Sequence, residues 1–334
     1  MATIYDVARE ASVSTATVSR ALRGRPEVLP EVRQRVLAVA DRLGYRPNRL
    51  AQALARTHAN ALGLMLPADI SHPFYGILAE SVARHAIAYG YELVVGLPAL
   101  PSVESYVEAA VDLQDRRIAG LLVCANSKTI AEYARNRRAG APPLVALGCL
   151  PDVDVPLVTA DEEAAGHELT QHLIDLAHRR IGFLGLGPEE VRPSGREHGY
   201  LRAVTEAGLP SVLRGADRTM EGGREGAIRL LEGSPGLTAI IAHNDAVALG
   251  ALRGLFEAGV RVPEDIAVAG FDNIPQSRYS IPALTTVDLS AEEMAQRGLE
   301  MLGRHLGFVE GEPDGRLLIT PQLVIRDSSG PARS

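Results

Sequence analysis

Beyond residue 60 the chain alternates between two textures. Short apolar runs fall at 61–66, 92–97, 120–124, 144–148, 181–186, 239–242 and 266–270. Stretches of helical periodicity lie between and after them, at 76–89, 104–115, 131–138, 166–176, 196–206, 222–231, 246–258 and 291–306. Buried strands alternating with helices imply parallel sheets covered on both faces. So long an alternation is better divided between two sheets than held in one. A last strand is expected over 316–324, returning to the second sheet. In such sheets ligands bind at the carboxyl ends of the strands. That rule directs attention to Ser71-His72-Pro73-Phe74-Tyr75, the loop after the first strand.

The first sixty residues read differently. Thr3 and Asp6 form a capping pattern before Ile4, Val7, Ala8 and Ala11, which share one helical face. Ser12-Val13 breaks that helix, and Ser14 caps a second one running to Leu22. Pro30 starts a third, with Val32, Val36, Val39, Ala40 and Leu43 as its apolar stripe, and Gly44 stops it. Two short helices and a tight turn, followed by a supporting helix, outline a helix-turn-helix unit. Asn48 can cap a further short helix over 49–56, which is too short to be stable alone in water and too apolar for a plain linker.

Charge divides the same way. Residues 1–60 hold ten Arg, no Lys and five acids, a net +5, whereas the whole chain of 334 residues carries −7. A basic head on an acidic body suits a head that meets a polyanion. Hydrophobic residues at 46% and charged residues at 22% are those of a globular protein, and no apolar run reaches the ~18 residues a membrane span needs. Asp6, Arg9 and Glu10 stand where a signal peptide would be apolar, so a cytoplasmic location is expected. Cys124 and Cys149 each end an apolar run and read as buried thiols.

The motifs Thr3-Ile4-Tyr5-Asp6-Val7-Ala8, Val13-Ser14, Thr17-Val18-Ser19-Arg20 and Tyr45-Arg46-Pro47-Asn48 resemble the head-piece of the LacI (lactose-repressor) family. Ala177-His178-Arg179-Arg180, Asn244-Asp245, Val262-Pro263-Glu264-Asp265-Ile266 and Gly270-Phe271-Asp272-Asn273 are similar to that family's later signatures, so the resemblance spans residues 2–328. It implies a bacterial transcription regulator with an all-α helix-turn-helix head and an α/β, two-lobed body like periplasmic sugar receptors. The implied divisions are a DNA-binding domain over 1–47, a hinge helix and linker over 48–60, and an effector-binding and dimerisation domain over 61–328. Residues 329–334 form a tail. Lobe one would comprise 61–160 and 291–318, and lobe two 161–290 and 319–328. The implied partners are double-stranded DNA bearing a near-palindromic operator, a sugar-like effector and a second copy of the chain.

By the family pattern Thr15, Ala16 and Arg20 read bases. Arg20 can place its fork on guanine O6 and N7, worth about 1–3 kcal/mol of discrimination. Ser14, Thr17, Ser19 and Asn48 are better placed for phosphates, which position without specifying. Leu54 matches a leucine that wedges into the minor groove and kinks the duplex. The pattern has departures: Ser12 replaces the usual Gly or Asn of the turn, Leu29 the usual cap of the third helix, and Val32 a common Thr.

In the body Ser71 and Phe74 are expected to line the cleft, and Arg196, Asn244 and Asp272 fall on effector-contacting positions of the family. Asn244 and Asp272 can bond hydroxyls. Asp161 matches a common acidic position but equally reads as the cap of the helix at Gly166. Arg218 falls near the place of a stacking aromatic, which favours a polar, acidic or phosphorylated sugar; a solvent-facing Arg218 is equally consistent. No metal-ligand spacing, cofactor motif or nucleophile elbow is found. A sugar receptor and a sugar-acting α/β enzyme are the alternatives, opposed by the basic head and by the lack of an acid–base pair.

Overall fold

The computed structural model describes residues 3–22, 28–45, 60–68, 70, 72–100, 102–125, 127–137, 140–148, 154–185, 194–312 and 315–332, without the side chains of Ile4, Ala16, Ser19, Arg20 and Ser127. The chain divides into two compact units, Met1–Ala59 and Asn60–Ser334.

In the first unit, α1 spans Ile4–Glu10, α2 Thr15–Leu22 and α3 Pro30–Arg42. Thr3 caps α1 in a reciprocal box, its backbone N–H donating to Asp6 Oδ2 at 2.9 Å. Ser14 accepts the N–H of Thr17 at 3.1 Å and thereby starts α2. Leu29 offers α3 no side-chain cap, and Pro30 occupies the first turn. Between α1 and α2 the chain turns at Ser12 with φ 55°, a left-handed conformation that suits glycine and costs other residues free energy. Val7, Val18 and Val36, one from each helix, are fully buried at the centre of the unit. The three apolar stripes thus close on one another.

The second unit holds two six-stranded sheets. In chain order it runs β1 (Ala61–Met65), α4 (Pro73–Ala88), β2 (Glu92–Gly96), α5 (Val103–Asp115), β3 (Gly120–Cys124), α6 (Ser127–Arg135), β4 (Leu144–Leu147), β5 (Leu157–Ala160), α7 (Glu162–Asp175), β6 (Ile181–Gly185), α8 (Gly195–Glu206), β7 (Val212–Gly215), α9 (Met220–Gly233), β8 (Ala239–Ala242), α10 (Asp245–Glu257), β9 (Ala267–Phe271), a 3-10 turn (Pro275–Arg278), β10 (Thr285–Asp288), α11 (Ala291–Leu306), β11 (Arg316–Ile319) and β12 (Gln322–Val324). The first sheet has the order β11-β5-β4-β3-β1-β2 and the second β12-β10-β9-β8-β6-β7. Among the described residues all strand pairings are parallel except β10 with β12. The apolar layers against α4 and α11, and against α5 and α6, belong to the first sheet. Those against α7 and α8, and against α9 and α10, belong to the second. The chain passes between the sheets at Asp161, at Leu289-Ser290 and at Thr320-Pro321.

One expectation needs correction. The segment 316–324 is two strands in different sheets. Arg316–Ile319 pairs with β5 in the first sheet, and Gln322–Val324 pairs with β10 in the second. Pro321 lacks a donor for either ladder, and the chain changes sheets there. Three further strands were not anticipated. β5 is only four residues long. β7 is an edge strand with Leu213 and Arg214 exposed, which blurs its pattern. β10 buries Thr285 and Thr286, polar residues whose hydroxyls find partners elsewhere in the fold.

The signature at residues 177–180 also has a place. His178 is buried and its Nε2 lies 2.8 Å from the carbonyl of Gly330, pinning the end of the chain to lobe two.

Candidate functional site

The carboxyl ends of the strands converge as sheet topology requires. His72–Tyr75 follow β1, Arg196 opens α8 after β6, His243 and Asn244 follow β8, and Asp272 follows β9. Phe74 packs against the cores of both sheets, so the loop after β1 is held where the two lobes meet.

Close helix packing sets the position of Arg196. A Cβ on Gly166 of α7 would lie 2.1 Å from the carbonyl oxygen of Arg196, and one on Gly199 of α8 would lie 2.1 Å from that of Glu163. Only residues without a side chain let α7 and α8 approach this closely. The approach puts the buried Arg196 guanidinium against Glu162, with Nε and Nη2 at 3.0 and 2.9 Å from Oε1. Nη1 donates to the carbonyl of His243 at 2.6 Å, and Nη2 lies 3.2 Å from Oδ1 of Asp272. The guanidinium carbon stands 5.2 Å from the centroid of the Phe271 ring. Burial opposes the charge of Arg196, but the Asp272 and Glu162 carboxylates more than offset it and raise its pKa. The arginine therefore stays charged and is held in a fixed orientation.

Asp272 adopts φ 99°, which a non-glycine residue rarely does, and its other oxygen faces His72 Nε2 at 3.5 Å. Asn244 caps α10, its Oδ1 accepting the N–H of Val247 at 2.9 Å. Asp161 caps α7, its Oδ1 accepting from Ala164 at 2.9 Å, so this helix begins at Glu162 and not near Gly166. Arg218 is exposed beside β7, and its charge opposes the burial-driven rise of the Tyr75 pKa and adds to the burial-driven fall of that of His243. Burial, aided by the charges of Arg196 and Arg218, drives the pKa of His243 well down, so its imidazole is neutral. Burial raises the Tyr75 hydroxyl and pushes the Cys124 thiol up to about 12, so neither ionises near neutrality. Ser71 and Cys149 lie outside the described residues.

Sequence reasoning missed Glu162 and His243; His72 and Tyr75 lie in the loop it pointed to but were not singled out. One signal was available for Glu162: an arginine expected at the carboxyl end of a sheet needs carboxylate partners if it is buried.

In the helix-turn-helix unit, Thr15, Ala16, Thr17, Ser19 and Arg20 all lie on α2. Ser14 is exposed, with its hydroxyl 2.9 Å from that of Thr17. Asn48 and Leu54 lie outside the described residues.

Residues 3–48 match the lacI family of bacterial regulatory proteins, and residues 170–329 match a periplasmic binding protein-like domain. Catabolite control protein A of Priestia megaterium is 34% identical over 308 residues, covering 91% of this chain and 92% of that protein. The chain belongs to the LacI family. It is a DNA-binding transcriptional regulator. Among solved structures, the lac repressor dimer bound to operator and the anti-inducer ONPF is similar, with TM-score 0.88 and 26% identity over 98% of this chain and 99% of that one. The complex of the regulator CelR with cellobiose is similar at TM-score 0.70 and 27% identity, covering 98% and 100%. Within this LacI-family fold, the head match covers α1, α2 and α3. Among the described residues no helix is long and apolar enough to cross a membrane.

Proposed function

We propose that this chain is a homodimeric, cytoplasmic repressor that binds a near-palindromic operator and whose DNA affinity is set by a sugar-like molecule held between the lobes. The observation that carries the reading is the Arg196–Glu162–Asp272 cluster at the strand ends, with the Arg196 and Asp272 side chains buried and Glu162 partly exposed, in a chain that opens with a helix-turn-helix unit. A fixed fork of donors flanked by carboxylate acceptors suits hydroxyl groups. The similarity to the lac repressor on operator DNA and to CelR with cellobiose supports both halves of this reading.

In this reading residues 1–47 bind DNA, 48–60 form the hinge, and 61–328 bind effector and dimerise. Thr15, Ala16 and Arg20 read bases in the major groove. Ser14, Thr17, Ser19 and Asn48 hold phosphates, and Leu54 wedges the minor groove. Ser71, Phe74, Arg196, Asn244 and Asp272 contact the effector, with Asp161 and Arg218 at its margin. The effector shifts DNA affinity only by binding the two conformations unequally.

The test is fluorescence anisotropy on a labelled fragment of the protein's own promoter region at fixed, near-physiological salt. Neutral sugars, uronic acids, sugar phosphates and purines are then titrated into the complex. A saturable change with a sugar supports the reading; specific DNA binding that no sugar alters overturns its effector half. Arg20→Ala binding the operator as the parent does would overturn the assignment of the reader.

A further inference from the structure

Asp272 is followed by Asn273, and both adopt a left-handed backbone, with φ 99° and 49°. Two such residues in succession persist only where their surroundings over-determine them. The Asn273 side chain supplies that hold. Its Oδ1 accepts from Nη2 of Arg326 at 2.5 Å, and its Nδ2 donates to Oδ2 of Asp288 at 3.0 Å. Only one orientation of the amide satisfies both partners, because a guanidinium only donates and a carboxylate only accepts. Arg326 is itself fixed, its Nη1 donating to the carbonyl of Leu284 at 2.7 Å and its backbone N–H to Oγ1 of Thr285 at 2.9 Å. Oδ1 of Asp288 accepts the backbone N–H of Ser290 at 2.7 Å. These partners stand where the chain passes between the lobes. Ser290 immediately precedes α11, has φ 55°, and offers that helix no side-chain cap. Arg326 follows β12, the strand entered after the last crossing, and Asp288 lies opposite Gln322 in the β10–β12 ladder.

We propose that Asn273 is a positioning residue that couples the loop presenting Asp272 to two of the crossings between the lobes, those at 289–290 and 320–321. One amide fastens all three segments, so loop and crossings move as one element, and a displacement of Asp272 is passed to the angle between the lobes. Hydrogen bonds to charged groups are the strong ones, and the amide has a charged partner on each side. The coupling follows from the fold of the body alone. That a bound effector is what displaces Asp272 rests on the reading given above.

The test is amide hydrogen exchange of the full-length protein, read by mass spectrometry with no small molecule present. Asn273→Asp keeps the bond from Arg326 and tolerates the left-handed backbone, but sets a second carboxylate against Asp288. Adding Asp288→Asn restores a donor from the other side and leaves an oxygen for the N–H of Ser290. Asn273→Gly is an independent cut, since glycine adopts this backbone without strain and brings no side chain. In Asn273→Asp and in Asn273→Gly, peptides containing Ser290 and Arg326 should exchange about fivefold faster or more, while those of β8 keep the parent's rate. The double variant should return to the parent's rates throughout. Faster exchange confined to 272–275 would mean a purely local role and would overturn the proposal. So would acceleration that includes β8 in both cut variants, failure of the double variant to recover, or unchanged exchange everywhere. With no small molecule present, none of these outcomes bears on the effector reading, which the anisotropy titration decides.

Discussion

The carboxylate of Asp245 accepts the hydroxyl of Ser277 at 2.6 Å and so ties the first turn of α10 to the 3-10 turn after β9. The same carboxylate accepts from the backbone N–H of Ile274 at 3.0 Å and from the hydroxyl of Thr286 at 2.6 Å. One buried group therefore organises the backbone just beyond Asp272, next to the candidate cleft.

Burial, followed by the nearby charge of Asp272, pushes the Asp245 carboxyl up to about 7, although its three hydrogen bonds oppose the shift. The sign follows from linkage. With the folded value above the unfolded one, the folded state holds the proton more tightly. The contribution of Asp245 to stability is thus full below the unfolded value near 3.8 and is lost as pH rises through about 7. Asp245→Asn removes this dependence, worth up to about 1.4 kcal/mol per pH unit in that window. Urea unfolding of parent and variant at pH 5 and pH 8 checks it: the parent should lose more stability than the variant between the two. Parallel changes would contradict the account.

Arg196 is the only cation that these contacts place between Glu162 and Asp272. Removing it leaves Asp272 buried without its counter-charge. Arg196→Ala is expected to destabilise the second unit by about 3 kcal/mol or more. The midpoint of chemical unfolding measures the loss, and a change below about 1 kcal/mol would mean that the cluster is far more hydrated than its burial implies.

Ser12 holds a left-handed conformation at an exposed turn. Glycine adopts it without the Cβ penalty, partly offset by greater freedom in the unfolded chain. Ser12→Gly should stabilise the helix-turn-helix unit by about 0.5–1 kcal/mol. Thermal unfolding of the two proteins tests this, and a lower midpoint in the variant would refute it.

Tyr279 and Ile281 are 82% and 96% exposed, beside a depression of about 450 Å³ lined by Leu249, Pro275, Gln276, Tyr279 and Ser280. Large apolar side chains grouped on a surface mark an interaction face. In the homodimer proposed above, replacing Tyr279 and Ile281 together by Asp is expected to give a monomer in sedimentation and to weaken operator binding, since two half-sites need two heads. A variant that sediments as a dimer would place the interface elsewhere.

The alternation of apolar runs and helices was legible because each strand of the sheet interiors is buried on both faces and must be apolar throughout. β3, Gly120–Cys124, is buried along its whole length and stands out in the sequence. β10 is equally interior, yet Thr285 and Thr286 disguise it, because their hydroxyls are satisfied by Ser329 and Asp245, some forty residues away in each case. Local patterning carries no trace of such partners.

The candidate site divides along the same line. Cap positions such as Thr3, Ser14 and Asp161, and the placement of Arg196 and Asp272 after strands, depend on a few neighbouring residues and were determined by the sequence itself. Which carboxylates surround Arg196, and that His72 meets Asp272, were decided only in three dimensions. Those relationships join residues 34 to 200 positions apart. They exist because glycines let α7 and α8 close together and because the chain crosses three times between its sheets. Charge pairing at that range depends on distances that folding sets, and no spacing in the sequence encodes them.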